Sequence, residues 1–265
     1  MTSTPRPATP QVQRRAAVNG EVSAADTRRR GPHGDLAVRT HHCGPGLGSS
    51  TPTGTTWGGC RSGANDLVLT DAHDLEATLL RSPALAKVLL HHGDRDKVLS
   101  FESARGLSVR EALLRLAAPL GRLRWFSREH GWDLVFRKTR RDKFVYLPYG
   151  DFIDERTWEL DEGAMITTAK NFSERHRLDT AEVAARMQAA PPADPWQLCN
   201  GHDLCGILAV GLCRVLGSCR SAVKLSGDDV QDALLLAYER EHLAATEMFA
   251  SLRQWEARRA PHRVL

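Results

Sequence analysis

The composition of this chain changes abruptly near residue 64, and that break limits what can fold. Thirty of the first 63 residues are Gly, Pro, Ser or Thr, and neither helical nor strand periodicity persists there for more than a few positions. Such a stretch cannot bury enough apolar surface to offset the entropy of ordering it. Residues 1–63 are therefore expected to be disordered, and residues 64–265 to form the folded domain. Charge divides at the same place. Residues 1–63 hold eight arginines, no lysine and three acids (Glu21, Asp26, Asp35), whereas the rest holds 28 basic against 29 acidic residues. The overall net charge of +4 thus comes from the leading segment, and the domain offers no general case for a large nucleic-acid-binding face.

The longest apolar runs, Cys205 to Cys213 and Ala233 to Tyr238, fall short of the roughly 18 residues a membrane helix needs. No continuous apolar stretch near the N-terminus could serve as a secretory signal, so a cytoplasmic protein with reduced cysteines is expected. Cys199, Cys205, Cys213 and Cys219 are spaced six, eight and six apart without a Cys-x-x-Cys pair, and read as small apolar core residues. His41, His42, Cys43 and Cys60 are zinc-ligand types, but adjacent histidines point apart and Cys60 lacks a paired ligand. The tryptophans Trp125, Trp132, Trp158, Trp196 and Trp255 read as core packing rather than base-stacking platforms.

Element signals begin at residue 65. Asp66 to Thr70 reads as a short strand. Asp71 to His92 carries Leu75, Leu79, Leu80, Leu85, Val88 and Leu89 at helical spacing, with Pro83 splitting the stretch into two helices. Val109 to Leu120 reads as a helix with Ser108 and Glu111 forming a capping box. Trp132 to Arg137 and Phe144 to Tyr149 read as strands around a basic turn of Arg137, Lys138, Arg140, Arg141 and Lys143. That turn is either simply solvated, the favoured reading, or a local nucleic-acid patch. From about residue 162 the chain is expected to be helical, over Thr180 to Gln188, Asp203 to Leu216, Asp228 to Tyr238 and Leu243 to Glu256.

Two motifs could carry chemistry. Thr70-Asp-Ala-His-Asp-Leu-Glu76 lies where a strand hands over to a helix, and its carboxylates Asp71, Asp74 and Glu76 could hold a hard divalent cation that activates water at a phosphodiester. The alternative is a helix start with Asp71 as N-cap and Asp74 at N3. Asn200-Gly-His-Asp203 precedes an apolar helix. His202 could act as general acid or base with Asp203 orienting it, or Asp203 could be only the N-cap.

These motifs, together with Thr246, Met248 to Leu252 and Trp255-Glu256, resemble the bacterial family carrying domain of unknown function 4435, over roughly Asn65 to Leu265. The resemblance implies an α/β domain of TOPRIM type, with a small, mostly parallel sheet flanked by helices and a mainly helical C-terminal half. It implies Mg2+ or Mn2+ held by acidic residues during nucleic-acid phosphodiester cleavage, with Asp71, Asp74 and Glu76 as the retained acids. Some similar proteins work beside an ATPase in anti-phage defence. The pattern also asks for an upstream glutamate and an Asp-x-Asp. Glu21 lies in no strand, and residues 43–63 contain no acid.

Ser49-Ser-Thr-Pro-Thr-Gly54, written with G at third codon positions, reads in a neighbouring frame as Val-Asp-Ala-Asp-Gly after an apolar residue. Residues before about Gly63 are accordingly expected to be out of frame or otherwise foreign to the family, and the sheet to be incomplete. Three functions follow as expectations: an impaired metal-dependent nuclease, a non-catalytic module that binds a partner such as an ATPase, or a damaged fragment with an unpaired sheet edge.

Overall fold

The computed structural model describes residues 37–39, 67–189, 193–217, 225–261 and 263–264, all within the unit Leu36–Leu265. Ala37–Arg39 (β1) pairs in parallel with Leu67–Leu69 (β2), Val38 opposite Val68. The chain then turns through Thr70 to Asp74 into Leu75–Arg81 (α1) and Ala84–His92 (α2). Pro83 separates these helices as expected, because proline cannot supply the N–H that a helix interior requires. Arg95–Arg105 (α3), which no apolar stripe announced, is capped by Asp94 and stopped by Gly106 at φ 62°.

Val109–Glu129 (α4) starts at the expected Ser108–Glu111 capping box but runs nine residues past Leu120, through Pro119. The buried stripe of Leu113, Ala117, Leu120 and Leu123 carries it onward. Arg137–Arg140 (β3) and Lys143–Tyr146 (β4) form an antiparallel hairpin whose turn is only Arg141-Asp142, so most of the expected basic turn lies in strands. A 3-10 turn at Tyr149–Asp151 follows.

The helical half holds Glu162–Phe172 (α5), Thr180–Gln188 (α6), Pro195–Leu198 (α7), Gly201–Arg214 (α8), Gly227–Ala237 (α9), Arg240–Ala244 (α10) and Glu247–Arg258 (α11). The last expected helix is two, because Thr246 ends one and caps the other with its hydroxyl.

A mainly helical C-terminal half is therefore present, whereas the described residues do not form a parallel TOPRIM sheet. The described residues contain two separate two-stranded sheets, one parallel and one antiparallel. The physical reason lies in the spacing directly after β2: apolar residues recur every three or four positions, so the chain buries them in helices and adds no further described strand to the β1–β2 sheet. The disorder expected for residues 1–63 lies outside the described residues, except that 37–39 form β1. The zinc-ligand types His41, His42, Cys43 and Cys60, and Cys219, also lie outside them.

Helix α8 is the centre of the packing. Leu204, Cys205, Ile207 and Leu208 are wholly buried, Asp203 nearly so, and α1, α4 and α9 pack around the helix. Trp158 closes one side, its indole N–H donating to the Ile207 carbonyl at 3.0 Å. Burial pushes the Cys199 and Cys205 thiols up, consistent with their reading as apolar filler. No helix among the described residues is long and apolar enough to cross a membrane.

This packing sets an expected contrast between two leucines. Leu80→Ala, at a wholly buried site, should cost about 2–5 kcal/mol in urea unfolding. Leu90→Ala, at 77% exposure, should change stability by less than about 0.5 kcal/mol.

Candidate functional site

The two sequence motifs meet at the N-termini of α1 and α8. Asp74, not Asp71, is the N-cap of α1, and its Oδ1 accepts from the Ala77 N–H at 2.9 Å. Its Oδ2 accepts from the Gly201 N–H at 2.8 Å and lies 3.0 Å from His73 Nδ1. One carboxylate thus serves two helix starts, where unsatisfied N–H groups and the helix dipole favour negative charge. The approach demands glycine at position 201, since a Cβ there would stand 2.2 Å from Asp74 Oδ1 and 2.5 Å from Glu76 Cβ.

Asp71 points elsewhere. Its carboxylate accepts from the Glu247 and Met248 N–H groups, each at 2.8 Å, and so holds the start of α11. Its carbonyl accepts from Arg81 Nη1 and Gln197 Nε2. The expected trio of metal ligands is therefore split between different helix ends. Among the described residues no group of three or more His, Cys, Asp or Glu is arranged to hold a metal ion. Asp71 faces the start of α11, Asp74 faces the starts of α1 and α8, and Glu76 faces His202 and Gln231.

Asp203 is at the third position of α8, not at its N-cap, which is Asn200. It is 1% exposed and receives Arg124 in a two-point grip, Nε to Oδ2 at 2.6 Å and Nη2 to Oδ1 at 2.8 Å. The Tyr149 hydroxyl donates to Oδ1 at 2.8 Å. Burial by itself would favour neutral Arg124, but Asp203 outweighs it and holds the guanidinium charged. Burial and then Asp203 push the Tyr149 hydroxyl well up, so it stays a donor. A Cβ at position 206 would meet the Tyr149 ring at 2.1 Å, so glycine there admits the phenol.

His202 faces a different set. Its Nε2 lies 3.2 Å from the Tyr146 hydroxyl and 3.6 Å from Glu76 Oε1, and the two rings pack with centroids 4.6 Å apart. Gln231 Nε2 donates to Glu76 Oε1 at 2.9 Å, which brings α9 to the group. Burial and then the charge of Asp74 raise the Glu76 carboxyl above its ordinary value. For Asp74, burial raises the value but is outweighed by His73 and the Gly201 and Ala77 N–H groups, leaving it lowered.

Glu76 and His202 thus meet, as do Asp74 and Gly201, while Asp203 faces Arg124 and Tyr149. Sequence reasoning missed Arg124, Tyr146, Tyr149 and Gln231. One signal was available: Arg124 lies four residues after Leu120 and three before Ser127, on the buried stripe of α4, where a charge requires a partner.

Comparison with family models, with characterised proteins and with solved structures finds no match.

Asp203→Ala should cost about 3 kcal/mol in chemical unfolding, the lower end for a broken buried pair because the Arg124 side chain keeps 26% exposure. Acid dependence separates the other two carboxyls. A raised Glu76 contributes stability that is full below its unfolded value near 4.5 and is lost as pH rises through the folded value. A lowered Asp74 contributes stability present above 3.8 and lost as pH falls through its folded value. Glu76→Gln should flatten the urea midpoint above pH 4.5 and leave the loss below pH 3.8 in place.

Proposed function

We propose that this chain is a non-catalytic binding module in which the acidic motif is an internal clasp. The observation that carries this reading is the use of its aspartates: Asp71 holds the start of α11, Asp74 the starts of α1 and α8, and Asp203 the Arg124 guanidinium. Each carboxylate is engaged by groups of the fold, and each engagement stabilises a helix end or a buried charge. The helical half then presents the surface for a partner protein, and an ATPase is the partner the family resemblance suggests.

A second reading has one observation in its favour. Glu76, His202 and Tyr146 form a half-buried group with an acid and an imidazole 3.6 Å apart, a pairing suited to general acid–base work. In that reading the protein is a Mg2+- or Mn2+-dependent nuclease related to defence effectors, with Glu76 and His202 as its working residues.

Labelled RNA and DNA incubated with the full chain and Mn2+ or Mg2+ distinguish the two. The binding-module reading expects no cleavage above buffer, together with ATP hydrolysis in the fraction that co-purifies with the chain, retained in Asp74→Asn. Metal-dependent cleavage lost in both Glu76→Gln and His202→Asn would replace that reading with the nuclease.

A further inference from the structure

The hairpin β3–β4 carries a charge arrangement that nothing else in the described molecule balances. Its register puts Arg140 directly opposite Lys143, on one face of the ribbon. Like charges directly opposite across an antiparallel pair are destabilising. Arg140, Arg141 and Lys143 are all exposed, and none has an ion-pair partner among the described residues. Lys138, nearer the base, is by contrast neutralised by Glu174 at 3.0 Å. The only acid in the hairpin is Asp142 at the turn.

The turn adds to the cost. Arg141 and Asp142 both have positive φ, 47° and 62°, the geometry that a two-residue hairpin turn usually gives to Asn-Gly. An arginine is thus held at a position where a glycine would be unstrained.

The opposite face of the ribbon carries Phe144, which remains 47% exposed although the Arg137 guanidinium lies over its ring at 4.3 Å. The exposed cations Arg140, Arg141 and Lys143 at the tip and the exposed Phe144 ring on the reverse face match a strand of nucleic acid that passes around the edge of the hairpin, its phosphates on the cations and a base on the ring. Because the domain as a whole is near electrical balance, this is a local device and not a by-product of general basicity.

We infer that the β3–β4 hairpin is a binding surface for single-stranded nucleic acid, with Arg140, Arg141 and Lys143 on phosphates and Phe144 under a base. This surface rests on the hairpin alone and not on the clasp. The test is fluorescence anisotropy of a labelled single-stranded 20-mer with the full chain at several salt concentrations. Every variant keeps the eight arginines of residues 1–63, so all are compared on the same background.

The double variant Arg140→Gln with Lys143→Gln should weaken binding about tenfold or more and flatten the salt slope by roughly 0.7 per lost phosphate contact. Phe144→Leu should weaken binding at least about fivefold without changing that slope. All three sites are exposed, and unchanged circular dichroism and thermal midpoint will confirm that the variants fold. Parent-like binding by the double variant, or a Phe144→Leu variant that binds as the parent does, would overturn the assignment. So would hairpin-dependent binding to polyglutamate or to vesicles of phosphatidylserine and phosphatidylcholine at the affinity of the 20-mer.

Discussion

The grip of Arg124 on Asp203 is the interaction on which the packing around α8 depends. A helix surrounded by α1, α4 and α9 can be apolar on almost every side, yet α8 carries a carboxylate in its first turn at 1% exposure. Left alone, that charge would cost several kcal/mol. The two-point guanidinium contact and the Tyr149 hydroxyl supply three donors, and in doing so they fix α8 against α4 in one register. His202, one residue earlier, is then directed to the other side of the helix start, against Tyr146 and Glu76.

The rest of the acidic cluster follows a related logic. Helix starts expose N–H groups, and a carboxylate beside them replaces the water they lose on burial. Asp74 serves α1 and α8 together, which is possible only because Gly201 lets the two helix ends approach. A cluster of acids read along the sequence resembles a cation site. Read in space, its two aspartates lie against the starts of three helices, α1, α8 and α11. The difference between the two descriptions is orientation, and orientation is set by helices far away in the chain.

This explains which parts of the molecule were legible in the sequence. The split at Pro83, the capping box at Ser108 and Glu111 and the extent of α6 were readable because each depends on a few neighbouring residues. The run of α4 through Pro119 and the appearance of α3 were not, since burial of the apolar stripe outweighed the proline in one case and local capping formed a helix without an apolar stripe in the other. At the site, the pairing of Glu76 with His202 joins the two motifs that the sequence singled out. The aim of Asp71 toward α11 had no local signal, and the α/β sheet expected from the resemblance gave way to helices whose spacing was already visible after β2. Arg124 lay between these extremes, detectable as a charge on an apolar stripe, although its partner was not.

The bond between Asp71 and the start of α11 spans 176 positions. During synthesis Asp71 leaves the ribosome long before Glu247 exists, so for most of that interval its carboxylate has only water to bind. Closing this contact is a late, non-local event of the kind that slows folding, and it must follow synthesis of nearly all of the domain. Until then β2, which packs against α11, stands uncovered on that side. The nascent chain therefore has a built-in period of exposure at β2, and its yield in a cell will depend on how quickly α11 arrives.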